Sequence, residues 1–234
     1  MMVLLTWEPT EAERDQIARE WPADLQSLRQ GDLDPGELRT IIPQVEVMVG
    51  PVWTIPKDLL SRAPELRLIH VLGHGVDGLL TPETVDLLRG RGVLVARSNP
   101  AAIAIAEFVI MSLIALTRRM VTLHNRLTFH GDWSSELKAQ RGAGSLGGEL
   151  YESALGLIGY GSIAVEIHKR AAAFGMEVGA LARRPARLEG SGLDFVVPWQ
   201  DIDAFLKRCD YLVLSVPLTN QTTHLINADR IRAM

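Results

Sequence analysis

Cysteine is nearly absent from this sequence: Cys209 is the only one in 234 residues, so no disulfide can form within the chain. We therefore expect a reducing compartment, with the cytoplasm as the simplest location. Blocks of positive charge are also missing, because 24 lysine and arginine residues stand against 28 acidic residues and give a net charge of −4. A chain without a basic patch is not expected to bind nucleic acid or an anionic membrane surface.

Long hydrophobic runs and the common hydrolase motifs are lacking as well. The longest apolar stretch, Ala101–Leu116, has 16 residues and contains Glu107, whereas a helix needs about 20 apolar residues to cross a membrane. The first residues show no basic segment followed by an apolar one, so we predict no signal peptide. The sequence contains no HExxH motif, no Cys/His cluster and no G-x-S-x-G motif, which argues against a zinc or serine hydrolase.

The composition is ordinary for a globular protein, 47% hydrophobic and 22% charged, and short aliphatic runs alternate with helical patterns. This alternation is typical of an α/β fold, a parallel sheet covered by helices on both faces. The pattern restarts after a long helix and a polar stretch, which predicts two domains, residues 1–97 and residues 98–234. The predicted strands are Val3–Trp7, Leu25–Leu28, Val45–Val49, Leu66–Leu72, Val93–Ala96, Ala154–Gly159, Glu177–Ala182, Asp194–Pro198 and Tyr211–Val216. The predicted helices are Thr10–Trp21, Pro35–Ile42, Pro56–Ala63, Pro82–Arg89, the long helix Ala101–Leu123, Ser162–Phe174, Ile202–Arg208 and one that begins at Asn227.

A glycine-rich turn is the strongest functional signal in the sequence. Gly159, Gly161 and Ala164 fill a G-x-G-x-x-A pattern between a predicted strand and a predicted helix, which is the fingerprint of dinucleotide binding. The first glycine permits a tight turn, the second lets the backbone approach a diphosphate, and the alanine keeps the helix close to the strand. The N-terminal N–H groups of the helix and its positive dipole end then face the phosphates. A purely structural turn is the alternative interpretation.

The end of the next strand bears on which dinucleotide would bind. An NAD site has Asp or Glu about 20 residues after the turn, where the carboxylate binds the ribose hydroxyls. Here the strand ends in Ala182 and is followed by Arg183 and Arg184, with no carboxylate at that place. Because a guanidinium group can bind a 2′-phosphate bidentately, the sequence predicts NADP, with NAD less favoured. The alternative is that both arginines are solvated loop charges.

Five segments of the chain, which together cover most of it from Leu66 onward, carry a resemblance to a known family. They are LRLIHVLGHGVDGL, AIAEFVIMSLIALTRR, HGDW, GGELYESALGLIGYGSIA and CDYLVLSVPLTNQTTHLINADRIRAM. In their order and spacing they resemble the D-isomer-specific 2-hydroxyacid dehydrogenases, which include glyoxylate/hydroxypyruvate reductases and phosphoglycerate dehydrogenases. The resemblance implies a flavodoxin-like substrate domain for residues 1–97. For residues 98–234 it implies a Rossmann-type doubly wound sheet, incomplete at its C-terminal end.

The resemblance also implies roles for individual residues. The backbone N–H groups of Gly73, His74 and Gly75 would hold the substrate carboxylate, and Glu107 would have a structural role. The residues implied in cofactor binding are Gly159, Tyr160, Gly161, Ser162 and Ile163 at the diphosphate, Arg183 and Arg184 at the adenosine ribose, and Val216, Pro217 and Thr222 on the nicotinamide side.

Two features depart from the family pattern. Asn99 lies two positions before the place where the family has an asparagine, and Ala101 stands at that place. The family's catalytic histidine, its glutamate partner and its arginine would all follow Met234, so we assign no catalytic residue within the chain. All six histidines, including His168, are interpreted as packing or surface residues. We therefore expect a truncated form or a fragment of a longer enzyme, which by itself binds the cofactor without turnover.

The sequence thus predicts an NADP-preferring oxidoreductase that transfers hydride between the nicotinamide and a small 2-keto acid or D-2-hydroxy acid of the glyoxylate or hydroxypyruvate type. The helix Ala101–Leu123 carries more apolar surface than one domain needs, so we expect a homodimer packed through it, as in the family. Two alternatives stay open. One is an inactive nucleotide-binding or corepressor-like interaction module, and the other is a non-functional gene remnant.

Overall fold

The computed structural model divides the chain into two compact units, Met1–Pro100 and Ala101–Met234. The predicted boundary between residues 97 and 98 stands close to this division. Each unit is built on one parallel sheet with helices against it, which confirms the predicted α/β fold. The structure describes residues 1–22, 24–73, 75–76, 78–98, 101–132 and 148–234.

The first unit contains five parallel strands in one sheet. The strands are β1 (Met2–Leu5), β2 (Gln26–Arg29), β3 (Val47–Gly50), β4 (Leu68–Leu72) and β5 (Leu94–Ser98). Their order is β2-β1-β3-β4-β5, the order found in flavodoxin-like sheets. The helices are α1 (Glu11–Glu20), α2 (Pro35–Ile41) and α3 (Pro82–Gly90). Each begins after a residue that favours capping: the side chains of Thr10, Asp34 and Thr81 each accept a hydrogen bond from a backbone N–H of the first helical turn.

The second unit contains four parallel strands and five described helices. The strands are β6 (Ala154–Ile158), β7 (Glu177–Ala182), β8 (Phe195–Pro198) and β9 (Tyr211–Leu214). The helices are α4 (Ala102–Thr117), α5 (Met120–His130), α6 (Ser162–Ala173), α7 (Ile202–Leu206) and α8 (Ala228–Ala233). The strand order β8-β7-β6-β9 corresponds to the 3-2-1-4 part of a Rossmann sheet. Helices α4 and α6 bury their apolar residues on one face of this sheet, and α7 buries its own on the other face.

The prediction of one long helix over residues 101–123 is wrong in one respect, because the structure has two helices there, α4 and α5. Arg119 separates them in the left-handed conformation, with φ of 52°. The Arg119 N–H donates to the Leu116 carbonyl (3.1 Å), which closes the last turn of α4. A left-handed residue at this place commonly ends a helix, but it is usually glycine. The sequence contains an arginine instead, so composition offered no stop signal.

The predicted helix over residues 56–63 is a 3-10 helix, Lys57–Arg62, and the helix predicted over residues 202–208 ends at Leu206. Both segments are short. A short segment forms few helical hydrogen bonds, so tertiary packing decides its geometry.

Within the part of the chain that the structure describes, no helix combines the length and the hydrophobicity needed to cross a membrane.

The central strand β6 is buried at all five positions. A Cβ atom on Gly156, in the middle of this strand, would lie 2.4 Å from Cys209 Sγ and 2.9 Å from Phe205 Cζ. Burial also raises the pKa of the Cys209 thiol to about 11, and Sγ donates to the Phe205 carbonyl (3.1 Å). Cys209 is therefore a packing residue of the core, not a reactive thiol.

Candidate functional site

The carboxyl ends of the central strands in the second unit form one edge, where the predicted cofactor residues meet. At the end of β6, Ile158 lies opposite Leu181 of β7 and Leu214 of β9. The strand order reverses between β6 and β9, because β6 leads through α6 to β7 on one side while β9 lies on the other. Ligands of doubly wound sheets bind in the crevice at such a reversal. The sheet topology therefore favours a site at the ends of β6 and β9.

Gly159 makes the first bend of this site in a conformation that only glycine adopts readily. Its φ is +87°, and a Cβ atom there would lie 2.6 Å from Val216 Cγ1 and 3.1 Å from the Ser215 carbonyl oxygen. Its N–H donates to the Leu181 carbonyl (3.2 Å). The chain can turn sharply at the end of β6 and remain packed against the end of β9 because no side chain is present.

Gly161 differs, because its backbone is extended (φ −103°, ψ −168°) and any residue could adopt this conformation. A Cβ atom on Gly161 would meet no atom within 4 Å among the described residues. The fold therefore does not require glycine at this position. What the glycine leaves is an open side of the turn, along which a ligand can reach the backbone.

Helix α6 points its N-terminal end at this open side. Its first intrahelical bond runs from the Val165 N–H to the Gly161 carbonyl (3.0 Å), so the N–H groups that precede Val165 are directed out of the first turn. Ala164 is fully buried, and its small side chain lets the helix lie close to β6. The helix thus presents backbone donors and a positive dipole end, which together favour an anion.

Tyr160, between the two glycines, makes a contact that the sequence analysis did not predict. Its hydroxyl oxygen lies 2.7 Å from His168 Nδ1, on the second turn of α6. Burial raises the pKa of Tyr160, so the phenol keeps its proton at neutral pH. His168 is therefore more than a packing or surface residue. The sequence offered no signal of this contact, because Tyr160 precedes the helix and so does not share the helical period of His168.

Ser215, directly after β9, is a second site residue that the sequence analysis missed. Its backbone N–H donates to the Ile158 carbonyl (3.0 Å), and its hydroxyl donates to the Gly159 carbonyl (3.1 Å). Ser215 therefore fastens the glycine turn to the end of β9. A serine at the end of an apolar strand is too common a feature to have indicated this role.

Arg183 and Arg184 follow the end of β7 at the same edge of the sheet, and both are exposed. Within the described ranges, neither guanidinium group forms a salt bridge. Arg184 immediately precedes a 3-10 turn, Pro185–Leu188. The structure thus places two cations beside the glycine turn, at the position where NAD-specific sheets carry a carboxylate.

The residues expected on the nicotinamide side follow β9. Val216 is half-buried, and its Cγ1 would lie 2.6 Å from a Cβ atom on Gly159. The Thr222 hydroxyl donates to the Pro217 carbonyl (2.7 Å) and accepts from the Thr219 N–H (2.8 Å). Thr222 therefore holds the loop that follows β9 in shape.

The predicted substrate loop belongs to the first unit. Gly73, which follows β4, has φ of +140°, and Gly75 is exposed. His74 and Asn99 lie outside the described residues. In the second unit, the Glu107 carboxylate lies 3.7 Å from the Arg170 guanidinium of α6. No three His, Cys, Asp or Glu side chains are grouped to hold a metal ion anywhere in the described part of the chain.

Comparison with known proteins identifies relatives of this chain. Residues 110–234 match the family model described as D-isomer specific 2-hydroxyacid dehydrogenase, NAD binding domain. A hydroxypyruvate reductase of Thermotoga maritima is 34% identical over 204 residues, which cover 86% of this chain and 61% of the relative. A glyoxylate reductase of Pyrococcus horikoshii is 29% identical over 180 residues, 77% of this chain and 52% of the relative. The chain thus spans between half and two thirds of these two relatives.

A solved structure shares the fold over the whole chain. The TT0316 protein of Thermus thermophilus is 28% identical and has a TM-score of 0.72. The match covers 100% of this chain and 70% of that protein.

The two glycines of the turn should respond differently to the same substitution. We expect Gly159→Ala to lower the free energy of unfolding by about 1–3 kcal/mol, because alanine is strained at positive φ and its methyl group meets Val216. Gly161→Ala, the matched control, should change it by less than about 0.5 kcal/mol. Urea denaturation followed by circular dichroism measures both. Equal losses for the two variants would contradict this description of the turn.

Proposed function

The chain belongs to the D-isomer-specific 2-hydroxyacid dehydrogenase family, and we propose that it binds NADP and belongs to an oxidoreductase that acts on small 2-keto and D-2-hydroxy acids. The observation that carries the proposal is the glycine turn in front of α6. Its backbone donors, its open side at Gly161 and the helix dipole fit a diphosphate. Bound NADPH supplies a hydride for the carbonyl carbon of the substrate.

The arginine pair supports NADP over NAD. The 2′-phosphate of NADP is an anion, and hydrogen bonds between charged groups are stronger than neutral ones. Arg183 and Arg184 stand exposed at the end of β7, and Ala182 occupies the last position of that strand. A carboxylate in that place would bind the two hydroxyls of the NAD ribose and would repel the phosphate.

We assign the substrate carboxylate to the loop of Gly73, His74 and Gly75. Backbone N–H groups in a glycine loop form a concave anion site without a charged side chain. On the cofactor side, Val216 and Pro217 would form an apolar wall beside the nicotinamide, with Thr222 maintaining the loop. The named activities of the relatives, hydroxypyruvate reductase and glyoxylate reductase, support a small 2-keto acid as the substrate class.

Reduction of a keto acid also requires a proton donor for the developing alkoxide. Among the described residues, no histidine forms a salt bridge with a carboxylate, and His168 is bonded to Tyr160. We therefore assign no catalytic acid among the described residues, and we propose that the chain binds the dinucleotide without turning over substrate by itself. A nucleotide-binding interaction module is the second candidate function, which the lack of such a donor among the residues that the structure describes favours.

A second copy of the chain is the proposed partner. Helix α5 buries none of its residues, although it carries four exposed large hydrophobic side chains. On α4, Phe108 is 64% exposed. Exposed apolar surface of this extent is typical of an interface, and we propose that α4 and α5 form a symmetric homodimer contact.

Titration with NADPH and an assay with glyoxylate test the function together. We expect saturable NADPH binding, followed by nicotinamide fluorescence, and NADPH oxidation at the background rate with glyoxylate or hydroxypyruvate. Gly161→Val is the control, because it closes the open side of the turn and should weaken binding at least tenfold.

Absence of binding by the unmodified chain would contradict the proposal. Turnover above background would contradict the assignment of no catalytic acid, and NADPH-dependent association without turnover would support the interaction module.

The cofactor preference depends on the arginine pair. Replacing Arg183 and Arg184 together by alanine should lower the ratio of NADPH affinity to NADH affinity by roughly 10- to 100-fold, because the charged hydrogen bonds to the 2′-phosphate are lost. Arg187→Ala is the matched control, since Arg187 is an exposed arginine of the neighbouring 3-10 turn. Calorimetric titration with both dinucleotides measures the ratio. An unchanged ratio in the double variant would remove the basis for NADP.

The dimer proposal has its own measurement. Phe108→Asp should raise the dimer dissociation constant by roughly 30-fold or more, because it puts a charge into an apolar contact. Leu94→Asp, which changes an equally exposed leucine of the first unit, should leave it unchanged. Sedimentation velocity over a range of concentrations compares the two variants with the unmodified chain. A chain that stays monomeric throughout, or equal weakening by both variants, would contradict this interface.

A further inference from the structure

Two hydrogen bonds made by side chains fasten the glycine turn, one on the side of β9 and one on the side of α6. On the strand side, the Ser215 hydroxyl donates to the Gly159 carbonyl (3.1 Å). On the helix side, the Tyr160 hydroxyl lies 2.7 Å from His168 Nδ1. Gly161 and the start of α6 follow directly after these two anchors. The position of the backbone donors therefore depends on both.

The partners of this second anchor are both held in place. The ring of Tyr160 is half-buried against the apolar cluster that contains Ala164 and Ile167. The ring of His168 lies 6.0 Å from that of Tyr160, tilted by 56°. A Cβ atom on Gly192 would lie 3.8 Å from His168 Cε1. The imidazole is thus hydrogen-bonded to the glycine turn and also lies close to the loop that follows the arginine pair.

The chemistry of the pair fits a directed hydrogen bond. Burial favours the protonated phenol of Tyr160, and a neutral imidazole offers Nδ1 as the acceptor when its proton is on Nε2. The bond joins residue 160 of the turn to residue 168 of α6, so it fixes the turn relative to the helix whose N-terminus would bind the anion.

We propose that Tyr160 and His168 are positioning residues: their hydrogen bond holds the backbone donors of the turn in the geometry that grips the diphosphate. This inference rests on the proposed dinucleotide-binding function. Neither side chain needs to touch the cofactor. The bond stiffens the turn before the ligand arrives, so less ordering is required on binding.

A second tyrosine of the same unit supplies a matched control. Thr117 Oγ1 lies 2.6 Å from the Tyr211 hydroxyl at the start of β9, at the opposite end of the strand from the glycine turn. Removing this hydroxyl deletes a comparable partly buried hydrogen bond. It therefore tests whether any such loss in the unit weakens the cofactor site.

The experiment measures NADPH and NADH dissociation constants of the 234-residue chain by calorimetry. We expect Tyr160→Phe and His168→Ala each to weaken both dinucleotides by roughly three- to tenfold and by the same factor, because the diphosphate is common to both. The double variant should be no weaker than either single variant. His168→Gln should restore binding to within about twofold of the unmodified chain, since its amide oxygen can accept from Tyr160. Tyr211→Phe should leave both constants unchanged.

The outcomes separate this inference from the function on which it rests. If the unmodified chain binds both dinucleotides and Tyr160→Phe has the same dissociation constants, the positioning role alone is overturned. Equal weakening by Tyr160→Phe and Tyr211→Phe also overturns it, because the effect would then follow stability. If Tyr160→Phe does not fold, His168→Ala against His168→Gln decides: a loss that glutamine restores supports the role, and a loss that it does not restore contradicts it. Absence of binding by the unmodified chain overturns the proposed function, and this inference with it.

Discussion

The approach of the chain at Gly159 to the end of β9 is the constraint on which the site depends. At that bend the backbone has positive φ and lies against Val216 and Ser215, where no side chain has room. The bend ends β6 at Ile158, and α6 begins four residues later, at the carboxyl ends of the strands. If the bend were wider, the N-terminus of α6 would move away from the crevice between β6 and β9. The backbone donors would then no longer converge there.

The two glycines of the turn serve different ends, which a motif alone does not separate. Gly159 is required by the fold, because its conformation and its neighbours exclude a Cβ atom. The fold would tolerate a side chain at position 161, because no described residue has an atom within 4 Å of a Cβ atom placed there. A position that could carry any side chain and instead carries none, in front of a helix N-terminus, is well suited to a ligand that must approach the backbone. This contrast is the strongest structural argument for an anion at the turn.

Periodicity and turn chemistry predicted much of this molecule, because the features involved are local. The strand β7 matches its prediction at both ends, and α3 begins at Pro82 as predicted. The break between α4 and α5 escaped prediction because Arg119 occupies a left-handed position that usually signals itself with glycine. Of the site, the glycine turn and the arginine pair could be proposed from spacing. The hydrogen bonds of Ser215 and His168 could not. Ser215 binds a residue 56 positions away in the chain, and the bond from Tyr160 to His168 joins a residue before α6 to one within it, which follows no helical or strand period.

A crystal structure of the chain with NADPH bound tests the dinucleotide site most directly. Diphosphate oxygens are expected about 2.7–3.2 Å from backbone nitrogens of the turn between Gly159 and Ile163. The 2′-phosphate is expected against the guanidinium groups of Arg183 and Arg184, which follow β7. A diphosphate bound elsewhere, with the turn unoccupied or closed by its neighbours, would contradict this site.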